Sequence, residues 1–302
     1  MSATSLLGRP KAVPRAPRVP WVASARRRVT VPVAVALVVV TFLAVLVAFP
    51  GVLARFDPYS SDLTVGLRAP SGEHWFGTDR LGRDVWSRVV HGARYSVLIG
   101  LAATAIGVVL GTVLGVSAGL SGAFLTGRVG RWLDEGLTRL LDVVSSFPAI
   151  LLAMLVVTFT GPGVWNVAVA IGIAGIPLYA RVVRSQTFVV TRADYVAHAA
   201  VFGRSRWAVL GEHVLPNALT AVPVLAAIDI GTSILAVSGL SFLGLGPQPP
   251  IPEWGVMLAE SRDVLRVAWW AGVFPGVFIT GSVIAFTVLG RWLQARTDGR
   301  QS

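Results

Sequence analysis

The chain has 302 residues, of which 54% are hydrophobic and 14% charged, against roughly 25% charged in a soluble globular domain, so lipid must solvate most of its surface. The absence of cysteine excludes disulfides, thiolate metal sites and cysteine nucleophiles. The net charge of +11 is almost wholly arginine; the one lysine, Lys11, lies between Pro10 and Ala12 rather than after a glycine opening a helix, so the chain has no P-loop with which to hydrolyse ATP.

Residues 1–29, rich in Pro, Arg and Ser, read as a disordered basic tail. Arg26-Arg27-Arg28 before an apolar run resembles a signal peptide. The run is too long for one, and no small-x-small cleavage site follows cleanly, so residues 30–54 are read as an uncleaved first transmembrane helix. Residues 55–95 form a long outer loop carrying His74-Trp-Phe-Gly-Thr-Asp-Arg-Leu-Gly-Arg-Asp-Val-Trp-Ser-Arg88. There Thr78 or Asp79 is expected to cap a short helix through Trp86 and Val90, with Asp84 and Arg88 pairing across one turn. A five-helix core follows over 96–291.

Its spans are Ser96–Leu120, Leu140–Thr160, Trp165–Tyr179, Asn217–Gly239 and Ala268–Gly290, near the 20 apolar residues a crossing requires. The fourth is short unless it extends through Arg181. Gly107, Gly111, Gly115 and Gly119 recur along one face of the second helix, a spacing that lets helix backbones approach closely in lipid. Pro148 and Pro177 are expected to kink the third and fourth spans. A second outer loop, 246–267, holds the stiff segment Pro247-Gln-Pro-Pro-Ile-Pro-Glu-Trp-Gly255. The two long loops read as lids or as docking surfaces for an external partner, with Asp79, Arg83, Asp84 and Trp254 as candidate contacts. Residues 292–302 close the chain as a short tail.

With both termini in the cytoplasm, the inner segments hold 18 basic and 6 acidic residues and the outer loops 8 of each. The excess positive charge therefore falls on one side, as the positive-inside rule requires. The basicity reads as topology and not as nucleic-acid binding. The ten tryptophans sit at expected span ends or in loops and none in mid-span, the interfacial belt pattern. The fold class is an all-α membrane protein with six transmembrane helices, multi-pass in the cell membrane.

Between the fourth and fifth spans, Thr191-Arg-Ala-Asp194 resembles a capping box with Asp at its fourth position. A helix through Tyr195, Ala197, His198, Ala199 and Ala200 is expected to stop at Gly203 in the left-handed conformation. Ser205 then caps a second helix, and Leu215-Pro216 opens the next span. The pattern describes a structured helix pair on the basic side, presenting alanines where another protein's groove can come close.

The spacing from Ala197-His-Ala199 to Gly203 and Leu215-Pro216 resembles the "EAA" loop of permease subunits in binding-protein-dependent ABC importers. His74 to Asp84, Gly92-Ala-Arg94, Ser146-Phe-Pro148, Tyr179-Ala-Arg181, His213-Val-Leu-Pro-Asn217 and Gly239-Leu-Ser-Phe-Leu-Gly-Leu-Gly246 resemble the second permease subunit of the dipeptide, oligopeptide and nickel group. The likeness runs from about Thr30 to Arg291. It implies a type I importer permease fold and a heterodimer with a homologous permease. It also implies two cytoplasmic ATPases that carry the ATP and magnesium, an extracytoplasmic substrate-binding protein, and a coupling helix within about 191–212 that enters a cleft on the ATPase. By this resemblance the chain binds no cofactor and is not an enzyme. Ala197 stands where the motif has glutamate and His198 where it has its first alanine, so an acidic contact is missing there.

Asp229 is the one acidic residue deep inside a span, where a charge is costly unless it faces a polar interior. Either it lines the pathway and meets a cationic group, such as a peptide amine or a chelated metal, or it hydrogen-bonds Thr232, Ser233 or a neighbouring helix. Asp229-Ile-Gly231 leans towards the nickel-type members. Two rival classes would need other residues. An intramembrane serine protease built on Gly239-Leu-Ser241 needs a histidine on a nearby span, but His74, His91, His198 and His213 all fall in loops or at span ends. A proton-coupled secondary transporter often shows several buried ionisable groups and internal repeats, and neither is seen. No two histidines have the i, i+3 or i, i+4 spacing of a metal site.

Overall fold

The computed structural model describes residues 30–124 and 128–301. The expected N-terminal tail, with Lys11 and Trp21, lies outside the described residues. Helices α1 (Val31–Ala48), α3 (Val85–Phe124), α6 (Val164–Thr191), α10 (Val222–Phe242) and α12 (Trp270–Gln301) form the long elements. Between them lie α2 (Pro50–Leu53), α4 (Arg128–Ser146), α5 (Ala149–Thr160), α7 (Asp194–Val201), α8 (Arg206–Val209), α9 (Leu215–Ala218) and α11 (Trp254–Ser261). The five long helices are apolar enough to cross a membrane, and α4 with α5 makes a sixth candidate span bent by 90°. Among the described residues there is no β-strand, only an isolated bridge between Thr78 and Asp84.

The break between α4 and α5 replaces the kink expected at Pro148. Proline cannot continue the helical ladder and pushes the residue before it out of the helical region. Alone, the 12 residues of α5 reach about 18 Å, short of the roughly 30 Å hydrocarbon core. Helix α4 instead lies against the far half of α6: Arg184 grips Asp134 with bonds of 2.7 and 2.9 Å, and Arg181 reaches Asp142 at 3.0 Å. These pairs explain why α6 runs on to Thr191, well past the expected end at Tyr179. Pro177 lies inside α6 without ending it.

Helices α3 and α6 make the tightest contact in the bundle, and the glycine stripe is the reason. A Cβ on Gly111 would lie 2.6 Å from the Tyr179 Cβ, one on Gly115 2.6 Å from the Ala180 carbonyl oxygen, and one on Gly119 2.6 Å from the Thr187 Cβ. Any larger residue would force the backbones apart. On the other side, α10 meets α12 through Gly231 and Gly290, where a Cβ would crowd Val283 and Ile228.

One end of the bundle is capped by the two long loops. Helix α3 begins at Val85 rather than Ser96 and has 40 residues, about 60 Å at 1.5 Å per residue, so its first turns stand within the cap. The cap of α3 is Asp84, whose Oδ2 accepts the Ser87 N–H at 2.8 Å while Oδ1 lies 2.9 Å from His74 Nδ1. The expected Asp84–Arg88 pair therefore does not form. Nor does Thr78 or Asp79 cap a helix: the Thr78 hydroxyl bonds within the loop, and Asp79 Oδ2 accepts from Arg83 Nε at 2.7 Å. Arg88 turns instead to Glu260, whose Oε2 takes bonds from Arg88 at 2.8 Å and Arg83 at 2.9 Å.

Trp254 is fully buried, and its indole N–H donates to the Val89 carbonyl at 2.9 Å. Glu253 is also fully buried; it caps α11 by accepting the Val256 N–H and takes the Ser96 hydroxyl at 2.9 Å. These contacts correct two expectations. Arg83, Asp84 and Trp254 are buried, and Asp79 is paired with Arg83, so all four build the cap from within rather than serving as exposed docking contacts. Trp254 and Trp270 are also core residues, whereas Trp132, Trp165, Trp207 and Trp269 are exposed at helix ends or in loops. At the chain's end, α12 continues through Gln301, so residues 292–301 extend a helix rather than forming a separate tail.

Candidate functional site

The opposite end of the bundle carries the segment from Thr191 to Pro216. The expected capping box is not made, because α6 runs through Thr191 and its hydroxyl donates back to the Phe188 carbonyl at 3.1 Å, the local bond that threonine offers near a helix end. Helix α7 starts at Asp194 and stops as expected. Gly203 sits at φ +79°, and the Arg204 N–H reaches the Ala199 carbonyl at 3.2 Å, the bond that closes a Schellman motif. Ser205 then accepts the Ala208 N–H at 3.2 Å and caps α8.

Beyond α8 the helix widens into a single π turn, Leu210–Val214, before Leu215 and Pro216 begin α9. Proline lacks an N–H and crowds the carbonyl four residues back, and widening the turn relieves that clash. The next span does not start here but at Val222-Pro223. An internal core of Val190, Val196, Val209 and Val214, with Ala199 and Leu210 against it, holds the segment together. The Tyr195 ring meets His213 edge-on at 6.3 Å and ties α7 to the π turn.

This packing sorts the residues singled out in the sequence. Ala197, His198, Gly203 and Pro216 are exposed, Tyr195 is about half exposed, and Ala199 and Leu215 are partly turned inward. Ala200 lies on the same helix α7. Three residues not singled out project furthest: Val201, Phe202 and Trp207 are 82%, 86% and 82% exposed. The signal for them was present, since apolar residues flanking a helix-stopping glycine have no periodic partner across the turn.

The second candidate site is a cavity of about 330 Å³ between α3, α5, α6 and α10. Ile150, Ile171, Leu178 and Leu240 give it apolar walls, and Asp229 and Thr232 add polar groups. The 90° break places the first residues of α5 in its wall. Asp229 Oδ2 accepts the Tyr179 hydroxyl at 2.8 Å, and Oδ1 accepts the Thr232 hydroxyl at 2.9 Å. Ser233 is not its partner; it bonds Thr104 on α3 at 3.1 Å. Asp229 thus bonds a neighbouring helix, through Tyr179 on α6, and also stands in the wall of a cavity. Tyr179 is itself fixed by close packing against Gly107 and Gly111.

The rival chemistry is not assembled. Ser241 is buried without a hydrogen-bond partner among the described residues. His74 faces Asp84, His91 the Ser87 carbonyl and His213 the Tyr195 ring, while His198 is exposed. Among the described residues no three His, Cys, Asp or Glu side chains group as a metal site would require.

Residues 111–302 match the family described as binding-protein-dependent transport system inner membrane component. The probable D,D-dipeptide transport system permease protein of Escherichia coli is 39% identical over 269 residues, covering 88% of this chain and 88% of that protein. The dipeptide transport system permease protein of Alkalihalophilus pseudofirmus is 36% identical over 264 residues, 87% of this chain and 84% of its own length. The glutathione transport system permease protein of Pectobacterium atrosepticum is 38% identical over 286 residues, 93% and 91% of the two chains. Among solved structures, the MetNI methionine ABC transporter in an inward-facing conformation shares the fold, with a TM-score of 0.56 over 69% of this chain and 95% of that one, at 18% identity. Sequence and fold agree: the chain belongs to the family of permease subunits of binding-protein-dependent ABC importers, multi-pass helical proteins of the cytoplasmic membrane.

Proposed function

We propose that this permease subunit carries small peptides inward through the cavity beside Asp229, and that an ATPase subunit drives it by gripping the α7–α8 segment. Permeases of this family form translocation channels and work with a second permease, ATPases and a substrate-binding protein. On this reading ATP and magnesium belong to those ATPases. Relatives named for dipeptides, D,D-dipeptides and glutathione support a peptide cargo over nickel.

The observation that carries the reading is the exposed apolar tip of Val201, Phe202 and Trp207 on an element that already has its own core. A folded element leaving three large apolar side chains in solvent is built to be covered by a partner. Arg192, Arg204 and Arg206 are exposed on the same stretch of chain, and by the positive-inside rule that end lies in the cytoplasm, with both termini. Since Ala197 offers no carboxylate, the grip is apolar, centred on Phe202 and Trp207.

The chain has no cysteine, so a single thiol can be placed at will. Phe202→Cys or Ala197→Cys should cross-link to an ATPase subunit in the assembled complex. An assembled complex that hydrolyses ATP yet gives no cross-link from either position would overturn the assignment of this face.

A further inference from the structure

We infer that Asp229 is a recognition point for a primary ammonium group of the cargo, so that the cavity binds the free amino terminus of a short peptide. The inference rests on the peptide reading above. The carboxylate sits in the wall of a cavity of about 330 Å³, at the lower end of the roughly 300–1,000 Å³ typical of small-ligand sites. Among the described residues no arginine, lysine or histidine lines that cavity, so no described side chain in its wall neutralises Asp229. Its two bonds come from the neutral hydroxyls of Tyr179 and Thr232, one to each oxygen. Those bonds fix the orientation of the carboxylate and leave acceptor capacity on both oxygens, since an ionised carboxylate has about four lone-pair sites.

An uncompensated carboxylate beside an apolar pocket favours a cation, and the donor set decides which kind. One carboxylate flanked by hydroxyls supplies none of the imidazole or thiolate ligands that transition metals prefer, and among the described residues no metal-binding group is present. An ammonium needs only a few oxygen acceptors around it. The Asp229 carboxylate and the Thr232 hydroxyl provide them within one turn of α10. The apolar walls contributed by Ile150, Ile171, Leu178 and Leu240 then face the cargo's side chains.

The test reads cavity occupancy directly, because the external binding protein imposes its own selectivity on uptake. Gly175 lines the cavity, and a Cβ added there meets nothing within 4 Å. In the purified complex of both permeases and the ATPases, without binding protein, the alkylation rate of Gly175→Cys is followed by mass spectrometry against rising dialanine, N-acetyl-dialanine or nickel citrate.

Dialanine should protect the thiol at a concentration at least tenfold lower than N-acetyl-dialanine. Asp229→Asn, which can keep both hydroxyl partners, should shrink that ratio to under twofold, and Asp229→Glu should restore part of it. Equal protection by the two peptides in the parent complex overturns the ammonium assignment whether or not the Asp229 variants assemble. So does an unchanged ratio in Asp229→Asn, or protection by nickel citrate at the concentrations where dialanine acts. Protection by no peptide at all would instead strike the peptide-cargo reading and remove the basis of this inference with it.

Discussion

The two ends of this bundle solve opposite problems with similar residues. At the loop-capped end, arginines and carboxylates are drawn inside: Arg83 and Arg88 share Glu260, Asp79 bonds Arg83, Asp84 caps α3 and bonds His74, and Trp254 fills the space between. At the α7–α9 end the ion pairs stay near solvent, as in Arg204–Glu212 at 3.1 Å, and the large apolar residues Phe202 and Trp207 point outward. The first end is complete in itself. The second leaves apolar side chains exposed, and on the proposed reading a partner covers them. On the proposed reading, a closely bonded cap at one end and an exposed docking tip at the other would let an external motor act on the whole bundle.

The contrast can be broken by substitution, and the expected stability effects fall in order from cap to tip. Glu260→Leu leaves two buried guanidiniums sharing only Asp79, and breaking a buried pair from one side costs about 3–5 kcal/mol. Thermal unfolding of the purified complex should show a clear drop in Tm, and an unchanged Tm would mean the network contributes little. Next comes Gly115→Val, whose side chain must displace the Ala180 backbone. Overpacking of this kind costs about 1–3 kcal/mol, and since the same interface positions Tyr179, transport should fall along with Tm.

Ser205→Ala removes the cap of α8, a loss of about 1 kcal/mol confined to the segment. Faster amide hydrogen exchange in residues 205–214, with little change elsewhere, is the expected signature. Smallest in stability is the pair Phe202→Ser and Trp207→Ser, within about 0.5 kcal/mol for exposed positions. These should nonetheless suppress ATPase co-purification or substrate-coupled transport severely. If they also unfold the protein, the tip is part of the fold, and the contrast between the two ends fails.

Much of this architecture was legible in the chain because its signals are local or periodic. Apolar runs marked the spans, the four-residue glycine stripe marked the α3–α6 contact, and Gly203 and Ser205 marked the end of one helix and the start of another. Each depends on residues within a turn or two of one another. Readings that asked a single local pattern to decide between partners went astray. Thr191 and Asp194 had the spacing of a capping box, but α6 ran on because Arg184 and Arg181 found Asp134 and Asp142 on another helix. Asp84 and Arg88 had the spacing of an ion pair, but each met a better partner, one as a helix cap and the other in Glu260.

By itself, then, the sequence determined a lipid-solvated helical bundle, the glycine seam and the position of a structured segment between two spans. Solvent preference and backbone conformation are properties of short stretches, and the residues within those stretches set them. Only the tertiary structure decided that Trp254 is core and not docking surface, with its indole bonded to a carbonyl 165 residues away in the chain. It alone showed that Pro148 turns the helix through 90° and that Asp229 both bonds Tyr179 and lines a cavity. Those outcomes depend on which distant group arrives with matching geometry, and competition between partners is settled only when the whole chain has packed.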